Sequence, residues 1–393
     1  MGLDFTVLRI LVAIGVLRIL IYGEQRHIKW NKLDVMILTW AFCGAFIYVI
    51  QWMNTKAIIN RAGVLFDIVG LYWLFRQRIR SWDDVKFAFR LLAFSALILA
   101  PLVALEWSMG RNPFLVLGRV MTNVRGESYR CQAAFPHSIM MGLFWATLVP
   151  LFVGLAMTEN KSLLYWAAAA AAVFIVAASA SSTPIFVLAV VISALFAFRW
   201  RRHTGRVGLS LLASLTALHI VMYAPVWHLL ARINLIGGST GWHRYHLIDQ
   251  AIKHFDEWVI LGCRSTEHWG YGLEDITSQF VLEGVRGGLL TLTIFLAMIY
   301  IALKTLVTVS LQYNEHKKQF LSWCLFIAVI GHCVAFLGVS YFGQITMLWY
   351  MTLAVTALMA EYKLVLESGG CEAASGTFLY AKPQYYKRFI RHR

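Results

Sequence analysis

The chain has 393 residues and a formal net charge of +15 at pH 7; 59% of its residues are hydrophobic and 14% are charged. Soluble globular proteins carry about 25% charged residues, so this composition excludes an ordinary soluble domain. Repeated apolar stretches of about twenty residues predict an all-α, polytopic membrane helical bundle, because a helix satisfies its backbone groups within one segment in lipid. No basic region with interleaved aromatic residues lies outside these stretches. We therefore expect the lipid bilayer as a partner and no nucleic acid.

Hydropathy predicts eleven membrane spans within a single transmembrane domain, residues 1–393. The spans are residues 3–22, 33–52, 57–75, 86–106, 138–157, 162–180, 184–199, 207–230, 279–309, 319–340 and 344–366. The loops after spans one, three and seven and the tail 367–393 are rich in Arg and Lys, which concentrate on the cytoplasmic side of membrane proteins. This pattern predicts a cytoplasmic C-terminus and basic tail, with the long loops 107–137 and 231–278 on the opposite, outer side. Both loops contain one cysteine, Cys131 and Cys263, so a disulfide between them is an open alternative.

Arginines in the two outer loops and at the start of span nine run against the expected charge bias. They are arginines far more often than lysines, and the planar guanidinium matches pairs of phosphate oxygens where an ammonium does not. Solvated loop charge is the plainer alternative. The expected diphosphate-binding residues are Arg119, Arg125, Arg130, Arg244, Arg264 and Arg286.

Acidic and aromatic residues crowd the stretch 262–290, between two long apolar spans. Ionisable residues at the mouth of a span predict a functional site. A helix would place residues 275, 278, 279, 282 and 286 on one face, with Asp275 and Arg286 on the same wall; an intrahelical Glu283–Arg286 ion pair is the structural alternative. The expected catalytic residues are Asp275, Glu274 and His268, and the expected supporting residues are His137, Thr277, Ser278 and Glu283.

An amphipathic helix is predicted within the long loop 231–278, over residues 243–257. Its apolar stripe follows three-to-four spacing and indicates a helix that lies on the membrane surface or covers a cavity. The stripe consists of Leu247, Ile248, Ala251, Ile252 and Phe255.

These residue types suit glycosyl transfer from a sugar linked to a polyprenyl diphosphate. The leaving diphosphate needs electrostatic stabilisation, which arginines supply, and the acceptor hydroxyl needs a general base, which a carboxylate or imidazole supplies. No Asp-x-Asp or His/carboxylate cluster with ligand spacing is present, so we expect neither a metal nor a cofactor. A transporter or flippase of lipid-linked anionic saccharide is the alternative; the sequence has no inverted repeat and no matching pair of interrupted spans to favour it.

Local motifs carry a resemblance to a known family. Arg130 followed by residues 137–142 (His-Ser-Ile-Met-Met-Gly) is similar to an arginine plus His-Pro-Ile-x-x-Gly at the start of a span, with Ser138 in place of proline. Residues 277–281 (Thr-Ser-Gln-Phe-Val), followed by Gly288, are similar to a His-Asn-x-Tyr-Leu…Gly pattern. With these motifs the chain resembles the bacterial O-antigen ligase and polymerase superfamily of polysaccharide-assembly membrane proteins.

The resemblance implies a metal-independent glycosyltransferase of the bacterial inner membrane. It would move a saccharide from a carrier such as undecaprenyl diphosphate to a glycan acceptor at a periplasmic active site. Residues 241–262, with Arg244, look like the loop helix of the family. Thr277 stands where the ligases keep a histidine, and the turn at residues 181–183 lacks the arginine that ligases often carry there. Both departures favour an exopolysaccharide polymerase-like member over a ligase.

Overall fold

A computed structural model describes residues 6–119, 121–125, 128–232 and 241–367, so the predicted tail beyond 367 lies outside the described residues. The described chain is predominantly helical, as predicted. The helices are α1 (Val7–Ile21), α2 (Lys32–Trp52), α3 (Thr55–Arg78), α4 (Trp82–Met109), α5 (Ser138–Thr158), α6 (Ser162–Ala178), α7 (Ser182–Phe196), α8 (Thr204–Val221), α9 (Leu229–Arg232), α10 (Gly241–Lys253), α11 (Phe255–Trp258), α12 (Gln279–Gln312), α13 (His316–Gly338) and α14 (Gln344–Glu367). Short 3-10 helices cover Pro113–Leu117, Ala197–His203, Val226–His228 and Glu267–Trp269, and an antiparallel hairpin pairs β1 (Asn123–Arg125) with β2 (Ser128–Arg130).

Eight helices in the described part of the chain are long and apolar enough to cross a membrane, consistent with a multi-pass membrane protein. One of the eight is the uninterrupted run Ser182–Val221, which contains α7 and α8. α1 has 15 residues and α6 has 17, fewer than the about twenty that a membrane crossing needs. Each predicted span therefore has a helix, but the count of eleven crossings is not confirmed.

Charged residues inside the first and third helices pair with each other. Arg9 of α1 approaches Asp67 of α3 with Nη2 at 3.0 Å, and its Nε also donates to the carboxylate. A Cβ at Gly63 would lie 2.7 Å from this guanidinium, and one at Gly70 would lie 2.6 Å from Val12. Because the residue numbers rise together along the contact, α1 and α3 run parallel.

A buried ion network joins α2, α3 and α14 at the end of the bundle where α3 ends, which we call the basic end. Arg76 donates to Asp34 at 2.8 Å and to Glu361 at 2.6 Å. Glu361 also accepts from Arg26 at 2.8 Å, and the Tyr72 hydroxyl donates to Asp34 at 2.6 Å. Basic residues that the sequence marks as an orientation signal therefore also hold three helices together.

α5 is the central helix and is buried over most of its length against α6, α7 and α13. Small residues let these neighbours approach closely. A Cβ at Gly142 would lie 2.7 Å from Pro184 of α7, and one at Gly154 would lie 2.8 Å from the Cys324 sulfur of α13. This packing fixes the start of α5, and with it His137, the residue that caps the helix.

α12 is broken at Gly288, and its two segments fold back on each other. Gly288 has φ 68° and ψ −174°, a conformation essentially restricted to glycine. Phe280 and Phe295 would be about 22 Å apart along a straight helix at 1.5 Å per residue, yet their ring centroids lie 6.0 Å apart. Trp40 of α2 touches both segments: it donates to Glu283 at 2.8 Å and packs on Phe295.

Residues 259–263 of the long loop fill this break. The Leu289 amide donates to the Val259 carbonyl at 2.9 Å, and the Val285 carbonyl accepts from the Cys263 amide at 2.8 Å. In a continuous helix the amide of 289 and the carbonyl of 285 would bond to each other. Unsatisfied backbone groups cost several kcal/mol in lipid, so the loop segment completes the hydrogen bonding of α12.

The break makes Gly288→Ala a test of the fold. A Cβ there would lie 2.3 Å from the Ile260 carbonyl oxygen, and the left-handed backbone costs an alanine about 1–3 kcal/mol. We expect a lower Tm for the purified variant. Gly208→Ala is the control, since a Cβ there meets nothing within 4 Å and alanine is the better helix former. Equal Tm values for Gly288→Ala and the unmodified protein would contradict the break.

The predicted amphipathic helix 243–257 forms as two pieces, α10 and α11, separated at His254. Leu247 and Ala251 are buried as predicted, whereas Ile252 and Phe255 are exposed. The buried apolar stripe therefore contains fewer residues than predicted, because α10 ends at Lys253, before Phe255. Arg244 also lies on the buried face of α10.

Candidate functional site

The candidate site forms around residues 339–343, which connect α13 to α14. The backbone amide of Tyr341 donates to Gln279 at the start of α12 at 2.9 Å. Gln344, at the start of α14, donates to the Ala134 carbonyl at 2.9 Å. This connection therefore brings the segment before α5 and the start of α12 to the same place.

Glu106, in the last turn of α4, holds the segment before α5. Its buried carboxylate accepts the backbone amides of Gln132 at 3.1 Å and Ala133 at 2.8 Å, and the Thr122 hydroxyl at 2.8 Å. The structure records no ion pair for Glu106 among the described residues. The sequence interpretation missed it, although an acidic residue at the end of an apolar span was the available signal. Glu106 positions the chain that leads from β2 to His137.

Arg130, at the end of β2, contacts the turn between α6 and α7. Its Nη2 donates to the Ser181 hydroxyl at 2.8 Å, and that hydroxyl donates to the Ser179 carbonyl at 2.9 Å. Here Arg130 brings a guanidinium to the same turn from a different part of the chain.

Arg130 and Asp275 have opposite electrostatic effects on the pKa of His137. Burial lowers the pKa of His137, the charge of Arg130 lowers it further, and the charge of Asp275 opposes both. The imidazole Nδ1 accepts the Ile139 amide at 3.1 Å and so caps α5. The neutral ring therefore carries its proton on Nε2, as a donor. Two other predicted site residues, Arg130 and Asp275, are therefore within electrostatic reach of His137.

Asp275 and Glu274 are exposed and lie before α12, which begins at Gln279. The predicted shared helical face of 275, 278, 279, 282 and 286 is therefore wrong, because the first two positions are not helical. The structure records no hydrogen bond or ion pair for the Asp275 carboxylate within the described ranges, so its oxygens are available to a substrate proton.

The two residues that follow are less accessible. The Thr277 hydroxyl is buried with no hydrogen-bond partner among the described atoms, and Ser278 donates to the Phe336 carbonyl at 3.2 Å. Ser278 thereby ties the start of α12 to the end of α13. Among the described atoms, the Thr277 hydroxyl therefore keeps unused hydrogen-bonding capacity two residues after Asp275 in the chain.

His268 belongs to a separate surface cluster with Glu257, Trp269 and His254. Its Nε2 lies 2.7 Å from Glu257, which also accepts from Trp269 at 2.9 Å. The hydrogen bond from Trp269, followed by that from His268, lowers the pKa of Glu257. His254 stacks on Trp269 at 5.2 Å between ring centroids. The Nε2 atom of His268 is therefore occupied by its contact with Glu257.

Glu283 is buried and makes no ion pair with Arg286 in the described structure, so the intrahelical pair of the alternative interpretation does not form. Its two oxygens accept from Trp40 at 2.8 Å and from Gln279 at 2.7 Å. Gln279 in turn accepts the Tyr341 amide, and the Tyr341 hydroxyl lies 2.8 Å from the imidazole of His332. The sequence interpretation missed His332 and Trp40, which resemble ordinary span residues.

The other predicted arginines lie in different surroundings. Arg244 is buried, and its Nε donates to the Gly338 carbonyl at 3.0 Å, at the end of α13 where the 339–343 connection begins. Arg119 follows a 3-10 helix, and its backbone amide bonds to Phe114 at 3.2 Å. Arg125 lies in β1 with its side chain outside the described atoms. Arg244 is therefore the second arginine placed at the site.

A further group of arginines lies at the end of α2. Arg264 donates from Nε to the Gln51 carbonyl at 2.7 Å and faces the Trp52 ring at 5.8 Å. Arg61, which the sequence interpretation did not include, lies 3.5 Å from the centroid of the Tyr48 ring and within electrostatic reach of Arg286. The predicted arginines with described side-chain contacts therefore lie in different parts of the structure. Arg130 and Arg244 border the site, Arg264 contacts the end of α2, and Arg286 lies within electrostatic reach of Arg61.

The cysteines and possible metal ligands add no second site. Cys131 and Cys263 are free thiols, so the alternative disulfide does not form. Burial raises the pKa of Cys131 to about 12 and that of Cys263 to about 11. Within the described ranges, no three His, Cys, Asp or Glu side chains group together as ligands for a metal ion.

His137 allows its capping role to be separated from its chemistry. We expect His137→Ala to lower the free energy of unfolding by about 1 kcal/mol through loss of the cap, and His137→Asn, a strong cap residue, to restore it. Activity should fall in both variants if Nε2 contacts substrate. Because the fold lowers the pKa of His137 below 6.5, its contribution to stability is complete above pH 6.5 and declines as pH falls toward the folded pKa. Unfolding measured from pH 8 to 5 checks this; a stability that rises below pH 6.5 in the unmodified protein but not in His137→Asn would contradict it.

Comparison with known proteins gives no match, whether to a family model, a curated protein or a solved structure.

Proposed function

We propose that the chain is a glycan polymerase or ligase, in the polymerase-like branch of the O-antigen ligase and polymerase superfamily. It would act in the bacterial inner membrane with its site on the periplasmic side, and transfer a saccharide from a polyprenyl diphosphate to a glycan acceptor. The observation that carries the proposal is that Arg130 and Asp275, which lies just before the broken helix α12, are both within electrostatic reach of His137. A fixed guanidinium, a neutral imidazole donor and a carboxylate that has no partner among the described residues are the groups that this reaction requires.

In the proposed reaction the bond between the sugar anomeric carbon and the diphosphate oxygen breaks as a bond to the acceptor hydroxyl oxygen forms. Asp275 takes the proton of that hydroxyl. The diphosphate leaves with the bonding electron pair, and Arg130 and Arg244 stabilise its charge. His137 donates from Nε2 to a sugar or diphosphate oxygen. The products are the extended glycan and free polyprenyl diphosphate.

The hydrogen-bonded arginines and the buried Glu106 carboxylate favour a fixed site over loose surface charge. Arg130 is held by Ser181, Arg244 by the Gly338 carbonyl, and the segment leading to His137 by Glu106. Groups that are oriented before the substrate arrives need little reorganisation during the reaction, which is why such preorganised charge is effective in catalysis.

Transport of lipid-linked saccharides is the second candidate, because one observation favours it. Broken helices such as α12, with loop backbone in the break, are typical of the binding sites of secondary transporters. The sequence alone had no matching pair of interrupted spans to support this alternative.

One experiment separates the two candidates. The purified protein is reconstituted in vesicles with a polyprenyl-diphosphate oligosaccharide, and both glycan length and released polyprenyl diphosphate are measured. Transfer predicts longer glycans and one released carrier for each new glycosidic bond. Movement of the intact donor across the bilayer without new bonds would reject the enzyme and support the transporter.

A further inference from the structure

Two exposed aromatic residues of the long loop have no part in the proposed reaction. Trp242, in the first turn of α10, is 61% exposed, and Tyr271, in the segment that leads to α12, is fully exposed. Other rings of the same loop are covered: Trp258 and Trp269 are buried in a small core beneath α10. Large aromatic side chains that a fold leaves exposed side by side mark an interaction surface.

Contacts with α10 bring Tyr271 to the part of the helix that carries Trp242. A Cβ on the glycine before Tyr271 would lie 3.0 Å from His246 Nε2, and a Cβ on the glycine after it would lie 3.8 Å from His243 Cε1. The backbone on both sides of Tyr271 therefore lies against the first two turns of α10. We call Trp242, His243, His246 and Tyr271 the aromatic surface.

The aromatic surface is held in shape by one ring stack and two glycines. The Trp242 ring stacks on the His246 ring at 4.7 Å between centroids, with 18° between the planes. This contact covers one face of the indole and leaves the other face free. Gly270 has φ 152° and Gly272 has φ 75°, backbone conformations that favour glycine. These glycines fix the backbone from which Tyr271 projects.

Hydrogen-bonding groups border the two rings. His243 and His246 are half-buried, and the exposed acids Glu274 and Asp275 follow Tyr271 at three and four residues. A pyranose sugar has an apolar face of C–H groups, which the negative face of an aromatic ring attracts. Its edge carries hydroxyl groups, which imidazoles and carboxylates bind by hydrogen bonds. Flat rings bordered by such groups therefore fit a saccharide.

The charge around the rings opposes a role as a membrane anchor. Trp and Tyr residues that anchor a protein at the membrane interface lie at the level of the headgroups, and interfacial helices add Lys and Arg to attract anionic lipids. Residues 267–275 contain three acids and no Lys or Arg. Carboxylates beside the rings would repel anionic headgroups, so these rings are better suited to water than to the bilayer surface.

The surroundings of the rings also differ from the centre of a protein–protein interface. Such a centre is depleted of charged residues. Here two leucines near the rings, Leu247 and Leu273, are fully buried in the loop's own core. The rings are bordered instead by imidazoles and carboxylates, which a saccharide uses better than an apolar protein surface does.

We infer that the aromatic surface binds a saccharide chain, with sugar rings stacked on Trp242 and Tyr271. Four residues separate Tyr271 from Asp275, which is at most about 14 Å of extended chain. A chain bound here therefore reaches the proposed reaction site while touching groups that take no part in the bond exchange. That the saccharide is the growing glycan rests on the proposed function; binding itself requires no transfer.

This surface would hold a glycan between additions. A chain that dissociates after each addition gives short products, whereas a chain that stays bound at a second place receives the next unit before it leaves. The aromatic surface would therefore set the length of the product, a property that the proposed reaction leaves open.

Hydroxyl-radical footprinting tests the surface without a donor. The full-length protein in nanodiscs is oxidised with and without linear hexasaccharides of glucose, galactose or N-acetylglucosamine, and each aromatic residue is quantified by mass spectrometry. Without sugar, Trp242 and Tyr271 should oxidise readily because water reaches them. At least one hexasaccharide should reduce the oxidation of both about threefold or more. Tyr223, which is also fully exposed, should change no more than the sugar's consumption of radicals explains.

Matched variants test the role of each ring. Trp242→Ala and Tyr271→Ala should each weaken binding of the protecting hexasaccharide about fivefold, the loss expected for one aromatic contact, with the titration read at the ring that remains. Trp242→Phe keeps an aromatic face and should recover most of the binding, which separates stacking from damage to the fold. Tyr223→Ala is the control and should bind as the unmodified protein does.

The length of the product tests which saccharide is bound. In reconstituted transfer, Trp242→Ala and Tyr271→Ala should shift the glycans toward shorter chains. Unchanged lengths in both variants would overturn the assignment of the growing glycan as the ligand. If the unmodified protein forms no glycosidic bond while its footprint responds to sugar, the proposed function is rejected and the saccharide surface stands.

Three footprinting results would overturn the inference. Protection of Trp242 and Tyr271 in nanodiscs without sugar, with Tyr223 oxidised, would identify membrane anchors. Oxidation that none of the hexasaccharides reduces would reject saccharide binding. Equal protection of Tyr223 would show that the sugar only consumes radicals. None of these results bears on glycosyl transfer, because the assay contains no donor.

Discussion

Asp275→Asn is expected to lower kcat for glycan transfer by about 10²–10⁴-fold while changing the KM for the lipid-linked donor little. Asparagine keeps the size of the side chain but cannot take the proton of the acceptor hydroxyl. The carboxylate is exposed, has no recorded partner within the described ranges, and acts on His137 through its charge. Steady-state transfer with the reconstituted protein gives both constants.

The control for Asp275 is Asp256→Asn, which removes an exposed carboxylate from the same long loop. Its kcat and KM should match those of the unmodified protein. A similar loss in both variants would indicate a general effect of loop charge. Full activity in Asp275→Asn would remove this residue from the reaction and leave Glu274 as the next carboxylate to test.

Arg76→Met is expected to be the most destabilising single change at the basic end, by about 3–5 kcal/mol. It leaves the Asp34 carboxylate buried without a cation, bonded to Tyr72, and it removes the link between α3 and α14. Arg78→Met is the control on the same helix. Arg78 is 53% exposed and pairs with Glu24, and an exposed pair is worth at most about 1 kcal/mol.

Equilibrium unfolding in detergent or SDS mixtures measures both variants. Adding Asp34→Asn to Arg76→Met removes the stranded charge and should recover part of the lost stability, which measures the coupling between the two residues. Equal stabilities for Arg76→Met and Arg78→Met would show that burial does not strengthen this pair. Arg76 would then serve chiefly as an orientation signal.

Hydropathy predicted the position of the helices well, because it depends only on neighbouring residues. Each of the eleven predicted spans contains a helix, although α7 and α8 form one continuous run. Span nine was the exception: it is predicted as one helix from residue 279, but Gly288 reverses its direction. The backbone bonds that complete it come from residues 259–263, and no local pattern reports such a pairing.

The candidate site was predicted in part. The motif around Arg130 and His137 and the acids near residue 275 carry recognisable chemistry, and in the structure Arg130 and Asp275 both lie within electrostatic reach of His137. Glu106 and Arg61 were missed because Glu106 stands at the end of an apolar span, Arg61 interrupts one, and each reads as a weakness of its span. Their roles depend on contacts with Ala133 and Tyr48. Hydropathy carries no information about such contacts.

Residues 259–263 complete the hydrogen bonding at the α12 break, and this affects both how the chain inserts into the membrane and how it can be engineered. Neither α12 nor the loop segment 259–263 can satisfy its backbone hydrogen bonds in lipid without the other. The stretch 255–312 should therefore enter the bilayer and fold as one unit. A transplanted loop would need to bring Gly262 with it, since a Cβ there would lie 2.1 Å from the Val285 carbonyl oxygen. In hydrogen exchange, the amides of Cys263 and Leu289 should open together, although one belongs to a loop and the other to a helix.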